Sequence, residues 1–256
     1  MELRPLLHSH PYWDYFRSMI ERGVEYKLED ISEEQRIKDM EQAMHRGNHK
    51  SAQDQQELLE TLVQDDISAG FQLPILVEAF HNIPHAVVFP YDITHQSAIN
   101  KIGERIPKDR LTHDQSFDFL DGNSVNHRLL VEDEFHELRY GSCLLQLMHY
   151  AHALRFNQPS KKNVCSKIDL KSAYRRNYLG GKLGAMAITI VGYFALMSLR
   201  LPFGGTYCVH VWCVISEFIC DVTNALLRCK HWDPGHIDFQ VKCHVPKPKP
   251  QNPMAV

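Results

Sequence analysis

The feature that most constrains the fold of this chain is an uncharged, mostly apolar run over residues 183–199. A helix that crosses a membrane needs about 20 apolar residues, and this run is shorter and contains Gly184, Gly192 and many β-branched side chains. Such a composition is typical of strands that are buried on both faces. We therefore predict two buried strands, residues 185–190 and 193–201, with a turn at Gly192, and no membrane span.

The first 72 residues predict a helical N-terminal region. Pro11 can open a first helix, which Gly23 ends. Ser32 and Gln35 form a capping-box pattern for a second helix, which Gly47 stops. A third helix is expected over residues 52–69, and its apolar side would be formed by Leu58, Leu59, Leu62, Val63 and Ile67.

Beyond residue 72 the pattern changes to short elements separated by prolines. Residues 99–102 and 105–113 flank Gly103 and predict a hairpin, and residues 164–170 predict a strand. Two further helices are expected. The first is residues 143–155, whose core-facing residues would be Leu144, Leu147, Met148, Ala151 and Leu154. The second is residues 207–228, and the residues on its apolar face would be Val209, Trp212, Cys213, Ser216, Cys220, Thr223 and Leu227. Residues 245–256 are proline-rich and are expected to form an extended tail. The fold class is therefore α+β.

Charge and cysteine content bear on partners and compartment. The chain has a net charge of −3 and seven cysteines without a framework spacing. With no signal peptide at the N-terminus, this composition predicts a reducing, intracellular location. Residues 151–182 hold eight Lys or Arg and a single acid, Asp169. Such a stripe is either a surface that tracks phosphates or a solvated basic face, and charge alone does not separate the two.

Asp169 follows the predicted strand and is the strongest candidate for chemistry. A strand that ends in Asp places its carboxylate at the open edge of a sheet, and Leu170 could add a backbone carbonyl. Hard oxygen ligands of this kind bind Mg²⁺. Two Mg²⁺ ions clamp the attacking and leaving oxygens when a nucleotide is joined to a 3′-hydroxyl.

Two segments resemble palm motifs of retroelement reverse transcriptases. Residues 169–174 (Asp-Leu-Lys-Ser-Ala-Tyr) resemble motif A, in which an aromatic residue five positions after the Asp packs under the deoxyribose. Residues 201–204 (Leu-Pro-Phe-Gly) resemble motif B, which lies against the incoming base. The resemblance implies that Asp169 is the catalytic metal ligand, that Tyr174 excludes a 2′-hydroxyl, and that Phe203 and Gly204 form the floor of the nucleotide pocket.

A third segment, residues 106–117 (Ile-Pro-Lys-Asp-Arg-Leu-Thr-His-Asp-Gln-Ser-Phe), resembles the fingers motif of the same family. There a Lys or Arg binds the triphosphate and an Asp follows four residues after the Arg. The resemblance assigns nucleotide binding to Lys108, Arg110 and Asp114. Residues 124–126 resemble the Leu-Asn pair that closes the fingers segment. The phrases 46–52 and 229–234 are similar to reverse transcriptases of retrotransposons from microbial eukaryotes, so the resemblance runs from about Gly47 to the tail.

The resemblance implies right-hand polymerase fingers and a partial palm over residues 73–244. It implies an RNA-directed DNA polymerase with dNTPs, an RNA or DNA template-primer and Mg²⁺. The chain departs from the family in two ways. Tyr207 and Val209 are expected to crowd the start of the following helix, and the Tyr-x-Asp-Asp of motif C does not occur in the 256 residues. With one of the two carboxylate motifs, we expect the chain not to polymerise by itself. The alternatives are a non-catalytic nucleic-acid-binding remnant and an unstable relic with an exposed strand edge.

Other clusters of polar residues have simpler interpretations. Asp65 and Asp66 could mimic motif C in a permuted polymerase, but helical spacing runs through them and predicts a solvated face. His149 and His152 are spaced to share a metal on a helix, yet no third ligand is evident. The zinc-capable residues near the C-terminus lack a known zinc spacing, and Cys220 among them is predicted to lie in the core; they are Cys220, Cys229, His231, His236, Cys243 and His244.

Overall fold

The structure is a computed structural model that describes residues 7–80, 82–100, 102–118, 123–130, 143–162 and 170–228. Within these residues, helices combine with a three-stranded sheet and a two-stranded hairpin, both antiparallel. The mixed helix and sheet content confirms the α+β class at this coarse level. The boundaries predicted at residues 72 and 244 stay a prediction.

The first two predicted helices are confirmed as α1 (Trp13–Arg22) and α2 (Glu33–Arg46). The Ser32 hydroxyl accepts a hydrogen bond from the Gln35 amide at 3.1 Å, so it caps α2 as predicted. Acidic residues occupy the first turn of α2 and basic residues its last turn, which suits the helix dipole. Gly47 ends α2 with φ at 71°, a conformation that favours glycine.

The third predicted helix is two helices, α3 (Lys50–Gln53) and α4 (Gln56–Ser68). The chain leaves helical geometry at Gln55, where φ is −128° and ψ is 52°. Ser51 accepts the Ile93 amide at 3.1 Å and thereby ties α3 to a strand of the hairpin. The predicted apolar side of α4 is confirmed, since Leu59 and Val63 are buried.

The central sheet contains the predicted hairpin around Gly192. Strand β1 (Gln72–Leu76) is followed by the short helix α5 (Val77–Phe80). After two further strands described below, the chain returns as β4 (Ile188–Val191) and β5 (Phe194–Ser198), in the sheet order β1-β5-β4. Gly192 turns with φ at 58°. The first predicted strand is shorter than expected, because Gly181–Ala185 forms a helix, α7.

Both faces of the central sheet are covered, which explains its uninterrupted apolar sequence. Ile188 and Ala195 are buried together with Met40 of α2 and Phe80 of α5. Leu196 is buried in a separate cluster with residues of α4 and of the hairpin, among them Leu59, Val63, Tyr91, Ile93 and Leu111. The prediction of two buried strands is therefore confirmed for β4 and for most of β5, whereas Phe194 at the start of β5 is exposed.

A long hairpin is formed by β2 (Tyr91–Ile99) and β3 (Arg105–His113). Its register pairs Tyr91 with His113 and Ile99 with Arg105. The hairpin around Gly103 and its second strand are confirmed, but the first strand was predicted too late in the chain, at residues 99–102. The inward alternation of Tyr91 and Ile93 fades into polar residues after Thr94, and this weak pattern is why the strand was missed.

Helix α6 (Cys143–Asn157) is confirmed, but the burial predicted for it is wrong. Leu147, Met148 and Leu154 are 58%, 60% and 50% exposed. The helical spacing of apolar residues indicates which side chains lie on the same face of a helix. It does not show whether another part of the protein covers that face.

Helix α8 (Thr206–Arg228) is also confirmed, with a buried face other than the predicted one. The residues buried from it are Tyr207, Cys208, His210, Val211, Ile215 and Phe218. Phe218 stacks on Phe16 of α1 with ring centroids 4.3 Å apart, and this contact sets the rotation of α8. Cys220 is consequently exposed, so its prediction as a core residue is wrong.

By length and composition, the segment Thr206–Leu226 of α8 could also cross a membrane, and it is the described helix that meets this test. Its inward residues Tyr207, Val211 and Ile215 belong to the largest hydrophobic core, together with Met19 and Tyr26. Most residues of the segment are not buried, and one helix of this kind is weak evidence for a membrane.

Several predictions lie outside the described residues. They concern most of the strand over residues 164–170, the metal ligand Asp169, and the C-terminal segment with Cys229, His231, His236, Cys243, His244 and the proline-rich tail.

Candidate functional site

Arg110 and Tyr174 both contact Phe203, and the three residues come from three separate segments of the chain. The guanidinium carbon of Arg110, on β3, lies 5.5 Å from the centroid of the Phe203 ring. The Tyr174 ring lies 5.0 Å from the same ring, centroid to centroid, at an interplanar angle of 52°. Tyr174 also meets Trp212 of α8 edge-on at 6.3 Å. The segments that resemble the fingers motif, motif A and motif B thus contribute one residue each to a single cluster, which we call the Arg110–Phe203–Tyr174 cluster.

The loop that carries Phe203 is held against the end of the hairpin. The His113 amide donates a 2.8 Å hydrogen bond to the Phe203 carbonyl. The next residue, Gly204, has φ at 118°, and a Cβ atom built on it would lie 1.7 Å from the His113 carbonyl oxygen. Position 204 therefore needs glycine for its backbone conformation and for lack of space. The motif B resemblance pointed to this glycine, and the structure gives it a packing role.

Asn126 fastens the same loop from a second side. Its side-chain amide donates to the Gly204 carbonyl at 2.9 Å, and its side-chain oxygen accepts the Thr206 amide at 2.8 Å. Its backbone amide donates to the Gln115 carbonyl at 3.1 Å. The segment 124–126, which the sequence placed at the end of the fingers, thus joins the hairpin end to the first turn of α8.

Tyr207 does not crowd the start of α8, contrary to expectation. Its side chain turns inward, is fully buried, and stacks on Tyr26 with ring centroids 3.8 Å apart. Gln115 donates a 3.3 Å hydrogen bond to its hydroxyl. The missing side chain of Gly205 makes room for it, since a Cβ atom there would lie 2.5 Å from the Tyr207 ring. Burial raises the pKa of Tyr207 well above its usual value, which keeps the phenol neutral.

The other two fingers residues lie in different surroundings. Lys108 is exposed on β3, two residues from Arg110 and so on the same face of the strand. Asp114 lies beyond the strand end, where its carboxylate is 2.9 Å from Nε2 of His49. That carboxylate also accepts the Ser116 amide at 3.2 Å. The structure therefore places Lys108 beside Arg110, and it places Asp114 with His49.

The segment 46–52, to which the resemblance assigns no role, has a structural role at the base of the hairpin. Asn48 accepts the Tyr91 amide at 2.8 Å and donates to the Ile190 carbonyl at 2.9 Å, so it links the hairpin to the central sheet. The Arg46 guanidinium lies 4.0 Å from the centroid of the Phe117 ring. This segment braces the base of the hairpin that carries Arg110. The sequence signal for this role was the polar residue Asn48 between two predicted helices. Its hydrogen-bond partners are distant in sequence, so the signal did not identify them.

The described residues do not complete a metal site. Asp169 lies outside them, and within them no three His, Cys, Asp or Glu side chains are grouped to hold a metal ion. This holds for the pair His149 and His152 on α6. Leu170, the neighbour of Asp169, is described and is 39% exposed.

Only one residue of the acidic pair on α4 is fully exposed to solvent. Asp65 is exposed, but one carboxylate oxygen of Asp66 lies 2.9 Å from the guanidinium of Arg175, whose side chain is 9% exposed. Burial raises the pKa of the Asp66 carboxyl, Arg175 lowers it in part, and Asp65 raises it. The prediction of a helix is confirmed, and the prediction of solvation is wrong for Asp66. Arg175 is buried and therefore does not belong to the exposed part of the basic stripe.

A small cavity lies between α2 and the segment 123–128. It is lined by α2, by residues 87–89 and by the segments around Gln115 and Arg128, and its volume is about 30 Å³. Sites for drug-sized ligands measure about 300–1,000 Å³. A nucleotide therefore does not fit this cavity, and the open surface at Phe203 is the better candidate.

Comparisons with known proteins add no identification. No protein-family model, curated protein or solved structure matches this chain.

Proposed function

We propose that this chain is a reverse-transcriptase-like protein, related to RNA-directed DNA polymerases of retroelements, and that the Arg110–Phe203–Tyr174 cluster binds its nucleotide. The observation that carries the proposal is the convergence of these three residues. They are separated by 29 to 93 positions in sequence, and each was chosen from a different motif. The ring contacts that join them support one common binding surface.

Each member of the cluster has a chemistry suited to a nucleotide. Arg110 offers a planar fork of donors for phosphate oxygens, and exposed Lys108 adds a second positive charge on the same strand face. Phe203 is 37% exposed, so its ring remains open to a base, and aromatic rings stack on any base. Tyr174 touches the same ring and would limit the space at the sugar.

Asp169 is the residue that we propose as a Mg²⁺ ligand. A carboxylate is a suitable ligand, and when bound the ion would neutralise phosphate charge. Because Asp169 lies outside the described residues and the described ones hold no metal cluster, no step is assigned to the ion. The 256 residues supply one palm carboxylate motif, so we expect this polypeptide to bind nucleotide and template-primer without extending a primer by itself.

Nucleotide binding is the first test. Titration of dCTP with Mg²⁺, followed by calorimetry, should give a measurable Kd for the unmodified chain. Arg110→Gln should weaken it at least about tenfold, because a charge-assisted phosphate contact is worth roughly 1.5–3 kcal/mol. Arg105→Gln is the matched control, because Arg105 is exposed at the far end of the same strand. The proposal would be wrong if the unmodified chain does not bind dCTP at millimolar concentration, or if the two variants lose affinity for dCTP equally.

Primer extension on an RNA template tests the expected lack of polymerisation. The unmodified chain and Asp169→Ala should both fail to extend a primer. Extension that disappears in Asp169→Ala would show that the missing carboxylates are supplied from elsewhere, and our expectation for the isolated chain would then be wrong.

A second candidate, a non-catalytic nucleic-acid-binding protein, is favoured by the basic stripe. Arg155, Lys161, Lys162, Lys171, Arg176 and Lys182 are all exposed. Nearby, the Arg200 guanidinium lies 3.2 Å from the centroid of the exposed Tyr178 ring. Filter binding of RNA across a salt series distinguishes the candidates, because several phosphate contacts produce a steep fall in affinity with salt. RNA binding without dCTP binding would favour this second function.

A further inference from the structure

Neighbouring residues of one short turn face in opposite directions. Tyr174–Arg176 forms a single turn of 3₁₀ helix. Tyr174 points to Phe203 and Trp212. Arg175 points inward, where its guanidinium contacts the Asp66 carboxylate at 2.9 Å and lies 5.7 Å from the centroid of the Phe71 ring. Because the two residues are adjacent in the chain, the position of Arg175 is coupled to that of Tyr174.

The following residues attach this turn to Leu201 and Val24 through backbone hydrogen bonds. The Asn177 carbonyl accepts the Leu201 amide at 3.0 Å, and the Tyr178 carbonyl accepts the Val24 amide at 2.7 Å. Ser172, just before the turn, has φ at 55°, which is uncommon for a residue other than glycine. Among the described contacts, the Asp66–Arg175 ion pair is what joins the turn to helix α4.

We infer that Asp66 is a positioning residue that holds Tyr174 against Phe203 by anchoring Arg175. Breaking a buried ion pair leaves an uncompensated charge, so Arg175 without Asp66 would move toward water. Its turn would move with it, and Tyr174 would lose its place on Phe203. The proposal extends the proposed function, because it gives the sugar-facing residue a support in the N-terminal helical region.

The first measurement is sugar selectivity, the ratio of Kd for CTP to Kd for dCTP. Asp66→Asn and Arg175→Lys should each lower this ratio at least about fivefold, toward the value of Tyr174→Ala. Asp65→Asn is the matched control, since it removes an adjacent, exposed carboxylate on the same helix, and it should keep the ratio of the unmodified chain. Asp66→Glu keeps the charge and should retain most of the selectivity.

The second measurement does not depend on nucleotide binding. Trp13→Phe with Trp232→Phe leaves Trp212 as the sole tryptophan, and Trp212 is in contact with Tyr174. In that background, Asp66→Asn and Tyr174→Ala should each raise the acrylamide quenching constant of Trp212 at least about twofold, whereas Asp65→Asn should leave it unchanged. Combining Asp66→Asn with Tyr174→Ala should add little, because both remove the same contact.

The outcomes separate the two proposals. If the unmodified chain binds no dCTP, the proposed function fails, and the quenching of Trp212 alone decides the role of Asp66. If Asp66→Asn lowers the melting temperature but leaves selectivity and quenching unchanged, the pair only stabilises the fold and the inference is wrong. If Asp66→Asn does not fold, Arg175→Lys decides, and failure of both to fold also counts against a positioning role.

Discussion

The backbone of Gly204 lies directly against the carbonyl group of His113. The close approach and the φ of 118° leave no room for a side chain. We therefore predict that Gly204→Ala destabilises the protein by more than about 3 kcal/mol, because backbone strain of roughly 1–3 kcal/mol adds to a steric clash. Urea unfolding measures this. Gly181→Ala is the control, since a Cβ atom there meets nothing within 4 Å, and it should be neutral or slightly stabilising.

Removal of the Phe203 ring should affect binding more than stability. The ring is partly exposed and contacts Arg110 and Tyr174. Stacking of a base on an aromatic ring is worth roughly 1–3 kcal/mol, so Phe203→Ala should weaken dCTP binding between about 5- and 150-fold. The comparison is Phe194→Ala at the tip of the central hairpin, where the ring is 47% exposed. Equal dCTP affinities in the two variants would contradict the placement of the base on Phe203.

Asn48 should be a strong determinant of stability although it is polar. It joins the Tyr91 amide to the Ile190 carbonyl, and Tyr91 is fully buried. Asn48→Ala leaves a buried N–H without its partner, at a cost of about 1–3 kcal/mol for that group. We expect a total loss of about 2–4 kcal/mol in urea unfolding. The exposed Asn157, changed to Ala, should shift the unfolding free energy by less than about 0.5 kcal/mol.

Buried His113 should make the protein sensitive to mild acid. Burial lowers the pKa of His113 well below 6.5, and the charge of Arg175 lowers it further. Below pH 6.5 the unfolded chain takes up a proton that the folded protein does not, so stability is full above that pH and is lost as pH falls. Between pH 7.5 and 5.5 the loss from this group is about 1.4 kcal/mol.

The variant His113→Gln isolates this effect, because glutamine is polar and does not titrate. Urea unfolding at both pH values should show a smaller pH dependence in His113→Gln than in the unmodified protein, by about 1.4 kcal/mol. Exposed His45→Gln should keep the original dependence. If all three proteins lose the same free energy, the acid sensitivity comes from other groups.

Local signals predicted those elements whose determinants lie within a few residues. Ser32 and Gln35 located the start of α2, and Gly192 located the turn between β4 and β5. The signal failed where the pattern was weak or ambiguous. Strand β2 was missed because its alternation ends after Ile93, and the contact of Ser51 with Ile93, 42 positions away, is not visible in the local pattern of the third predicted helix.

Burial was the least predictable property of the helices. In α8 the inward residues include Tyr207 and Phe218, and the exposed ones include the apolar Ile219 and the cysteine Cys220. Apolar residues on several sides leave the orientation undetermined by periodicity. The contacts of Phe218 with Phe16 and of Tyr207 with Tyr26 then select one rotation.

Motif order along the chain was sufficient to name Lys108, Arg110, Tyr174, Phe203 and Gly204 as candidates, because residue type and spacing are properties of the linear sequence. Three relationships depend on how distant segments pack: Arg110 and Tyr174 meet at Phe203, Asp114 pairs with His49, and half-buried Asp66 pairs with buried Arg175. Each joins residues more than 25 positions apart. A linear pattern carries no distances between such residues, so these contacts emerge only when helices and sheets enclose a common core.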